Sequence, residues 1–138
     1  MGHEPKQKVL SLALANQPAF RAKHAASIYY RGRLLATGTN KKKTHPMMQR
    51  FCKHPEAVWL HAEIDCIVKV VNRYGTEALK DSELYVARVL KDGSLANSQP
   101  CEGCQRAIEA FQIKRVFYTT TKGWIDVQEQ NRVEKEMV

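Results

Sequence analysis

Residues 61–74 read HAEIDCIVKVVNRY, and they form the element from which the rest of the chain can be interpreted. Apolar residues recur along this stretch at spacings of three and four positions, which is typical of an amphipathic α-helix. His61 and Glu63 lie at the start of that helix, two positions apart. The stretch therefore predicts a helix whose first turn carries an imidazole and a carboxylate.

Residues 100–104 read PCEGC and open a second predicted helix, at 101–111. Cys101 and Cys104 are three positions apart, so one helical turn brings both sulfur atoms toward the same point. The positive end of a helix also favours the thiolate form of a cysteine over the thiol. This segment therefore predicts a pair of thiolate ligands for a metal ion.

The two segments together contain the groups that a catalytic zinc ion needs. His61, Cys101 and Cys104 would provide one imidazole nitrogen and two thiolates, a set that suits Zn2+ and leaves its fourth position open. Catalytic zinc keeps such an open position and lowers the pKa of bound water toward neutrality. Glu63 is close enough to move protons between that water and a substrate without binding the metal. The pattern H-x-E followed by P-C-x-x-C is the signature of zinc-dependent nucleobase deaminases.

The rest of the sequence predicts a chain in which strands and helices alternate. In chain order the predicted elements are a helix at 9–16, a hairpin of strands at 25–30 and 34–39, a long loop at 40–59, the helix at 61–74, a strand at 83–90, the helix at 101–111, a strand at 115–120 and a charged tail at 127–137 that fits a closing helix. Alternation in the second half implies parallel strands joined by right-handed crossovers, with the hairpin in the same sheet. The predicted fold is a three-layer α/β domain with a mixed sheet, and residues 1–138 are expected to form one domain.

Composition and charge narrow the class of protein. The chain is 43% hydrophobic and 26% charged, as in ordinary globular domains. Lys and Arg total 22 against 14 Asp and Glu, a net charge of +8. This excess favours anionic partners such as nucleotides or nucleic acid, without choosing between them. No signal peptide or membrane-spanning run is recognised, so we expect a cytoplasmic protein without a membrane partner, in which a close cysteine pair indicates metal or redox chemistry.

The five motif residues give the chain a resemblance to a known family. With His61, Glu63, Pro100, Cys101 and Cys104 in this order, the chain resembles the cytidine deaminase-like superfamily, within it the deoxycytidylate and tRNA adenosine deaminase branch. The resemblance extends over most of the chain. It implies a three-layer α/β/α fold with a mixed five-stranded sheet and a zinc ion between two helix starts. It also implies that the histidine and the two cysteines bind the zinc ion and that the glutamate is the proton shuttle.

The same resemblance implies further substrate-binding residues. The backbone N–H groups of Ala62 and Cys101 would hold the water and the base carbonyl, and Pro100 joins them at the substrate. Asn40 is similar to an asparagine that family members place against the sugar and base. The segment 43–46, KTHP, is similar to small deaminase-like proteins from phage genomes. The family also implies a homo-oligomer, in which a neighbouring subunit completes the pocket.

The long predicted loop contains a cluster of positive charge. Lys41 and Lys43 follow Asn40 directly, and we expect either a solvated loop or a contact with a substrate phosphate. Cys52 and His54 are too few for a second metal site and are interpreted as ordinary loop residues.

Aromatic and other polar residues have weaker signals. Tyr85 and Phe117 are expected in the sheet core, and Trp124 is the best candidate for stacking on a base or at an interface. Cys66 is interpreted as a small buried residue. His24 is expected at a strand edge or on the surface.

Three functions compete at this stage. The leading hypothesis is a deaminase of a free cytosine nucleotide or nucleoside, which converts a deoxycytidylate-like substrate to the uracil form and releases ammonia. The second is a polynucleotide deaminase acting on tRNA adenosine or on cytosine in single-stranded DNA, which the basic charge favours. The third is a non-catalytic zinc-stabilised module that binds nucleic acid. Glu63 argues against the third, because a structural zinc site has no use for that carboxylate.

Overall fold

The structure, a computed structural model, describes residues 3–16, 23–41, 43, 45–51 and 60–128. Its helices are α1 His3–Ala15, α2 Pro46–Phe51, α3 Ala62–Tyr74 and α4 Glu102–Ala110, with a short 3-10 turn at Thr76–Leu79. Its strands are β1 Lys23–Tyr30, β2 Arg33–Thr39, β3 Glu83–Val89, β4 Arg115–Thr120 and β5 Gly123–Gln128. None of these helices is long and apolar enough to cross a membrane, within the residues described.

The five strands form one mixed sheet in the order β2-β1-β3-β4-β5. β1 pairs antiparallel with β2 and with β3, whereas β3 and β4 are parallel. Arg31 and Gly32 connect β1 to β2 and have φ values of 50° and 79°, the left-handed conformation that a two-residue hairpin turn requires. The predicted hairpin and the predicted parallel pair are therefore confirmed.

Helices cover both faces of the sheet, which confirms the three-layer architecture. On one face α1 packs against a cluster that includes Ala25, Tyr29 and Ala87. On the other face, α3 and α4 bury Ile64, Ile67 and Ile108 against the strands. The connection from β3 through α4 to β4 is the predicted crossover, and it brings the starts of α3 and α4 to the same side of the sheet.

Three element boundaries differ from the sequence prediction. α1 begins at His3 rather than at residue 9, and its polar first turns, which lack an apolar period, contain an exposed Glu4–Lys8 ion pair of 3.0 Å at the i, i+4 spacing that supports a helix. The predicted loop at 40–59 contains α2, a helix too short for its period to be recognised. Residues 127–128 belong to β5, which pairs antiparallel with β4, so the prediction of a closing helix is wrong at these two residues. Its remaining residues lie outside the described part of the chain.

Gly38 allows β2 and α3 to approach closely, beside the first turn of the helix. A Cβ atom at this position would lie 2.5 Å from the carbonyl oxygen of Ala62 and 2.6 Å from the amide nitrogen of Cys66. Both neighbours are backbone atoms, which cannot move aside as a flexible side chain would. The position of the α3 start relative to the sheet therefore depends on this glycine.

We expect Gly38→Ala to push α3 away from β2 and to destabilise the protein by about 1–3 kcal/mol, the usual cost of overpacking a core. Denaturant unfolding measures the change in free energy. Arg33→Ala, at the exposed start of the same strand, is the matched control and is expected to have little effect. Equal stability of the Gly38→Ala variant and the wild type would contradict the close approach.

Candidate active site

Two of the predicted metal ligands are the residues at which helices begin. His61 is the N-cap of α3, with an extended backbone at φ −77° and ψ 152°. Cys101 is the N-cap of α4, with φ −66° and ψ 169°, and its sulfur accepts a hydrogen bond from the Cys104 N–H at 3.4 Å. The positive ends of two helix dipoles therefore point toward one place, where they favour negative charge.

The side chains of the three predicted ligands meet between these helix starts. The His61 Nδ1 atom lies 3.3 Å from the Cys104 sulfur and 3.6 Å from the Cys101 sulfur. All three ligand atoms lie within 4.8 Å of one another. An imidazole and two thiolates at this spacing fit a zinc ion, and three protein ligands leave its fourth position for a substrate or water.

The protonation state of Cys101 suits metal binding. Hydrogen bonding with the Cys104 thiol, together with His61 and the Cys104 N–H, lowers the pKa of Cys101 to about 3, although burial acts in the opposite direction. The thiolate is therefore present at neutral pH, and thiolate is the form that binds zinc. Cys66, which is not part of the triad, differs: burial raises the pKa of its thiol, and its sulfur donates to the Ala36 carbonyl at 3.3 Å.

Glu63 lies in the first turn of α3, beside the triad but not in it. Its side chain is buried, with the residue only 5% exposed. Burial raises the pKa of Glu63, while the charge of His61 and a hydrogen bond with Cys104 act against that rise. Burial favours the protonated form of this carboxyl group, and the neighbouring charge and hydrogen bond favour the ionised form. Such a group is suited to accept a proton and to return it.

Asn40 is held in place at the end of β2 by the chain around it. Its Oδ1 atom accepts hydrogen bonds from Asn16 Nδ2 at 3.0 Å and from the His24 N–H at 3.1 Å. Asn16 also donates to the His24 carbonyl at 3.2 Å. The end of α1 and the start of β1 thus fix the orientation of the predicted substrate-binding amide.

The basic residues of the predicted loop are in different environments. The ammonium group of Lys41 forms an ion pair with Asp65, whereas Lys43 is exposed. Backbone hydrogen bonds join both lysines to Leu60, the residue before His61. Lys42, Cys52 and His54 lie outside the described residues.

Asp65 is a residue that the sequence reasoning missed. It is 4% exposed and accepts hydrogen bonds from the Thr39 N–H at 3.1 Å, from Lys41, and from Lys69 at 3.1 Å. Burial would raise the pKa of Asp65, but these hydrogen bonds outweigh it and leave the pKa below its ordinary value of 3.8. An acidic residue on the buried face of α3, four positions before a lysine, was the available signal.

The remaining predicted contacts divide between the two faces of the sheet. Ala62 and Pro100 are buried beside the ligands that they flank. Tyr85 and Phe117 stack with ring centroids 4.4 Å apart, and Trp124 packs against their cluster. That cluster lies on the α1 face, opposite the triad. The prediction that Trp124 stacks on a substrate base is therefore wrong for this site, whereas its place at an interface stays a prediction.

His24 also differs from expectation. It is paired with Arg88 across the adjacent strands β1 and β3, on the face that α3 covers. Burial, followed by the charges of Arg88 and His61, lowers the pKa of His24 to about 4. His24 is therefore a half-buried neighbour of the metal site rather than a surface residue.

Comparison with known proteins gives the class of this arrangement. Residues 4–120 match the model of the cytidine and deoxycytidylate deaminase zinc-binding region. The match covers most of the chain, which therefore belongs to this family of zinc-dependent deaminases. The His61, Cys101 and Cys104 triad is its zinc site.

Solved structures agree with this fold. The apo crystal structure of dCMP deaminase from the cyanophage S-TIM5 is 25% identical, with a TM-score of 0.58 over 87% of this chain and 86% of that chain. Guanine deaminase from Bacillus subtilis is 24% identical, with a TM-score of 0.56 over 98% of this chain and 70% of that chain. Cytidine deaminase from Mycobacterium leprae is 19% identical, with a TM-score of 0.54 over 87% and 91%. No curated protein sequence gives a significant match.

We expect the purified protein to bind one zinc ion per chain and Cys104→Ser to lose most of it, because two remaining ligands hold zinc poorly. Cys66→Ala is the matched control, since Cys66 is a buried cysteine outside the triad. Metal analysis by mass spectrometry gives the content of each variant. Full zinc content in the Cys104→Ser variant would contradict the assignment.

Asp65→Asn is expected to lower the free energy of unfolding at pH 7 by about 1–3 kcal/mol, the usual contribution of hydrogen bonds to a charged group. Because the folded pKa of Asp65 is depressed, its stabilisation is complete above 3.8 and is lost as the pH falls through the folded value. The difference between wild type and variant should therefore shrink below about pH 4. Denaturation at several pH values tests this, with the exposed Glu77→Gln as control. A difference that does not change with pH would contradict it.

Proposed function

We propose that this zinc-dependent deaminase acts on a free cytosine nucleotide, a deoxycytidylate-like substrate, and converts it to the uracil form. Glu63 is the proton shuttle, and Asn40, Ala62 and Pro100 contact the substrate. The observation that carries the proposal is the buried Glu63 carboxyl beside three converging metal ligands. A purely structural zinc site would gain nothing from burying a carboxyl group there.

The reaction replaces an amino group by oxygen. Bound zinc supplies one thing, a lowered pKa of water, so that hydroxide is available at neutral pH. Glu63 takes the proton of that water and passes it to ring nitrogen N3 as oxygen adds to C4. The Glu63 carboxylate then takes the proton of the new hydroxyl group on C4 and delivers it to the amino group, the C4–N bond breaks as the C4 carbonyl forms, and ammonia leaves. Because Glu63 is buried, these transfers proceed without competition from bulk water.

The end of β2 and the start of α4 position the substrate in this proposal. Asn40 has its Oδ1 fixed by Asn16 and His24, so its amide group has a defined orientation toward the sugar and base. The backbone N–H groups of Ala62 and Cys101 lie at the positive ends of α3 and α4, where they favour a water oxygen and a base carbonyl. Each contact thus comes from a rigid element rather than from a free loop end.

Two observations favour a cytosine nucleotide. The cyanophage structure that is 25% identical to this chain is a dCMP deaminase. The chain has a net charge of +8, which attracts a phosphorylated substrate more than a neutral nucleoside.

We also propose that residues 1–138 act as one domain in a cytoplasmic homo-oligomer, whose stoichiometry light scattering would give.

A polynucleotide substrate is the alternative, and the same positive charge favours it. Deaminases of tRNA adenosine are among the proteins with this fold. An enzyme of that kind would bind oligonucleotides far more tightly than monomers, with an affinity that falls steeply as salt increases. Equal affinity for an oligonucleotide and a monomer would exclude it.

Measurement of the ammonia that zinc-loaded protein releases tests the proposal. The candidate substrates are cytidine, deoxycytidine, deoxycytidylate, adenosine, guanine and a single-stranded oligonucleotide. We expect deoxycytidylate to be the best substrate. Glu63→Gln should lower kcat by about 10²–10⁴-fold, as expected for loss of a general acid–base group, while zinc remains bound. Glu109→Gln, an exposed carboxylate of α4, is the control and should retain activity.

Two outcomes would contradict the proposal. If no cytosine monomer releases ammonia while the oligonucleotide does, the substrate is a polynucleotide. If Glu63→Gln keeps the activity of the wild type, Glu63 is not the proton shuttle.

A further inference from the structure

The strands β3 and β4 separate at their carboxyl ends, on the side of the sheet where α4 begins. Their parallel pairing ends at Val86 and Tyr118, although both strands continue beyond these residues. Residues 94–98, which lead toward Cys101, lie in the opening between the strands. This segment donates backbone hydrogen bonds to both sides, at 3.0 Å to β3 and at 2.8 Å to β4. The approach of the chain to the zinc site is therefore part of the sheet.

Two buried hydroxyl groups complete this connection. The Ser98 hydroxyl donates to the Val86 carbonyl at 2.9 Å and accepts from the Thr119 N–H at 2.7 Å. The Thr119 hydroxyl donates to the Ala96 carbonyl at 2.8 Å and accepts from the Arg88 N–H at 3.1 Å. Ser98 is 5% exposed and Thr119 is fully buried. Each hydroxyl therefore satisfies backbone groups that the separated strands no longer satisfy for each other.

The chain after Ser98 has little freedom before it reaches the metal ligand. The Asn97 Oδ1 atom accepts a hydrogen bond from the Gln99 N–H at 2.9 Å, which closes an Asx turn around Ser98. Pro100 is buried and has a fixed φ, and the residue before a proline is restricted to extended conformations. A displacement of Ser98 is therefore passed on to Cys101, three residues later.

The two cysteine ligands differ in how far they depend on this segment. Cys104 is fully buried in the first turn of α4, where the packing of the helix on the core holds it. Cys101 is exposed and is the N-cap of the same helix, so only its following residues are helical. The residues before it are held by Ser98 and its partners, which makes Cys101 the ligand that this segment positions.

We propose that Ser98 and Thr119 are positioning residues of the zinc site, whose hydroxyl groups set the place of the Cys101 sulfur relative to the other two ligands. Without either hydroxyl, buried backbone groups lose their partners, and residues 96–98 must shift to find new ones. Cys101 moves with them. The inference depends on the zinc site and not on which base is deaminated, so it goes beyond the proposed function.

Zinc affinity, measured by competition with a chelator, and the visible absorption of protein loaded with Co2+ in place of zinc test the inference. Thr119→Val preserves the shape of the side chain and removes its hydroxyl, whereas Thr119→Ser retains the hydroxyl. We expect Ser98→Ala and Thr119→Val to lower zinc affinity about ten- to hundredfold, as loss of a group that orients a ligand does, and to change the Co2+ bands. Thr119→Ser should keep the affinity and the bands of the wild type.

Ser82→Ala is the matched control for loss of a buried hydroxyl. Ser82 is fully buried and donates to the Leu79 carbonyl at 2.6 Å, just before β3 and therefore at the opposite end of the paired strands. We expect this variant to lose stability, as measured by denaturant unfolding, but to keep the zinc affinity and the Co2+ bands of the wild type. The control thus separates a general loss of stability from a displaced ligand.

Three results would overturn the inference. The first is unchanged zinc affinity and Co2+ absorption in both Ser98→Ala and Thr119→Val. The second is an equal change in Ser82→Ala, which would mean that lost stability alone weakens zinc binding. The third is a Thr119→Ser variant that behaves like Thr119→Val. If Ser98→Ala does not fold, the two Thr119 variants decide. Because these readouts need no substrate, absence of turnover of cytosine nucleotides would overturn the proposed function alone.

Discussion

The meeting of two helix starts is the constraint on which the rest of the molecule depends. His61 and Cys101 begin α3 and α4, and Cys104 follows one turn later, so the triad forms only if both helices start at these residues. A start shifted by one residue would turn a ligand by about 100° around its helix. The parallel pairing of β3 and β4, with α4 between them in the chain, brings the two starts together.

The surroundings of the site hold these helix starts in place through contacts of several kinds. Gly38 lets β2 lie directly against the first turns of α3, and Asp65 binds the end of β2 and the following loop to that same helix. Asn40 is fixed by Asn16 and His24. Because buried polar groups are costly unless they are satisfied, such contacts define one arrangement rather than several. A site organised in this way before substrate arrives avoids a reorganisation cost during the reaction.

The sequence was sufficient for the parts of the fold and site that follow from local pattern. The spacing of His61 and Glu63, and of Cys101 and Cys104, predicted the ligand set and the helices that carry it, and the family match confirms the zinc site. Local pattern was not sufficient for β5, whose residues are recognisable as a strand only once β4 is beside them. Contacts between residues that are distant in the sequence, such as the hydrogen bond from the Thr39 N–H to Asp65, were missed for the same reason.

The faces of the sheet show this limit most clearly. Trp124 lies on the face opposite the triad, whereas the half-buried His24 lies on the face of the triad. Alternation along a strand shows which residues share a face, but not which face the active site occupies.

X-ray absorption at the zinc edge is the measurement that tests the zinc site, because it counts the sulfur ligands of the metal. We expect two sulfurs, one imidazole nitrogen and one light atom that the protein does not supply. Three sulfurs would contradict the ligand set of His61, Cys101 and Cys104. A fourth protein ligand in place of that light atom would mean a closed structural site and would contradict a deaminase.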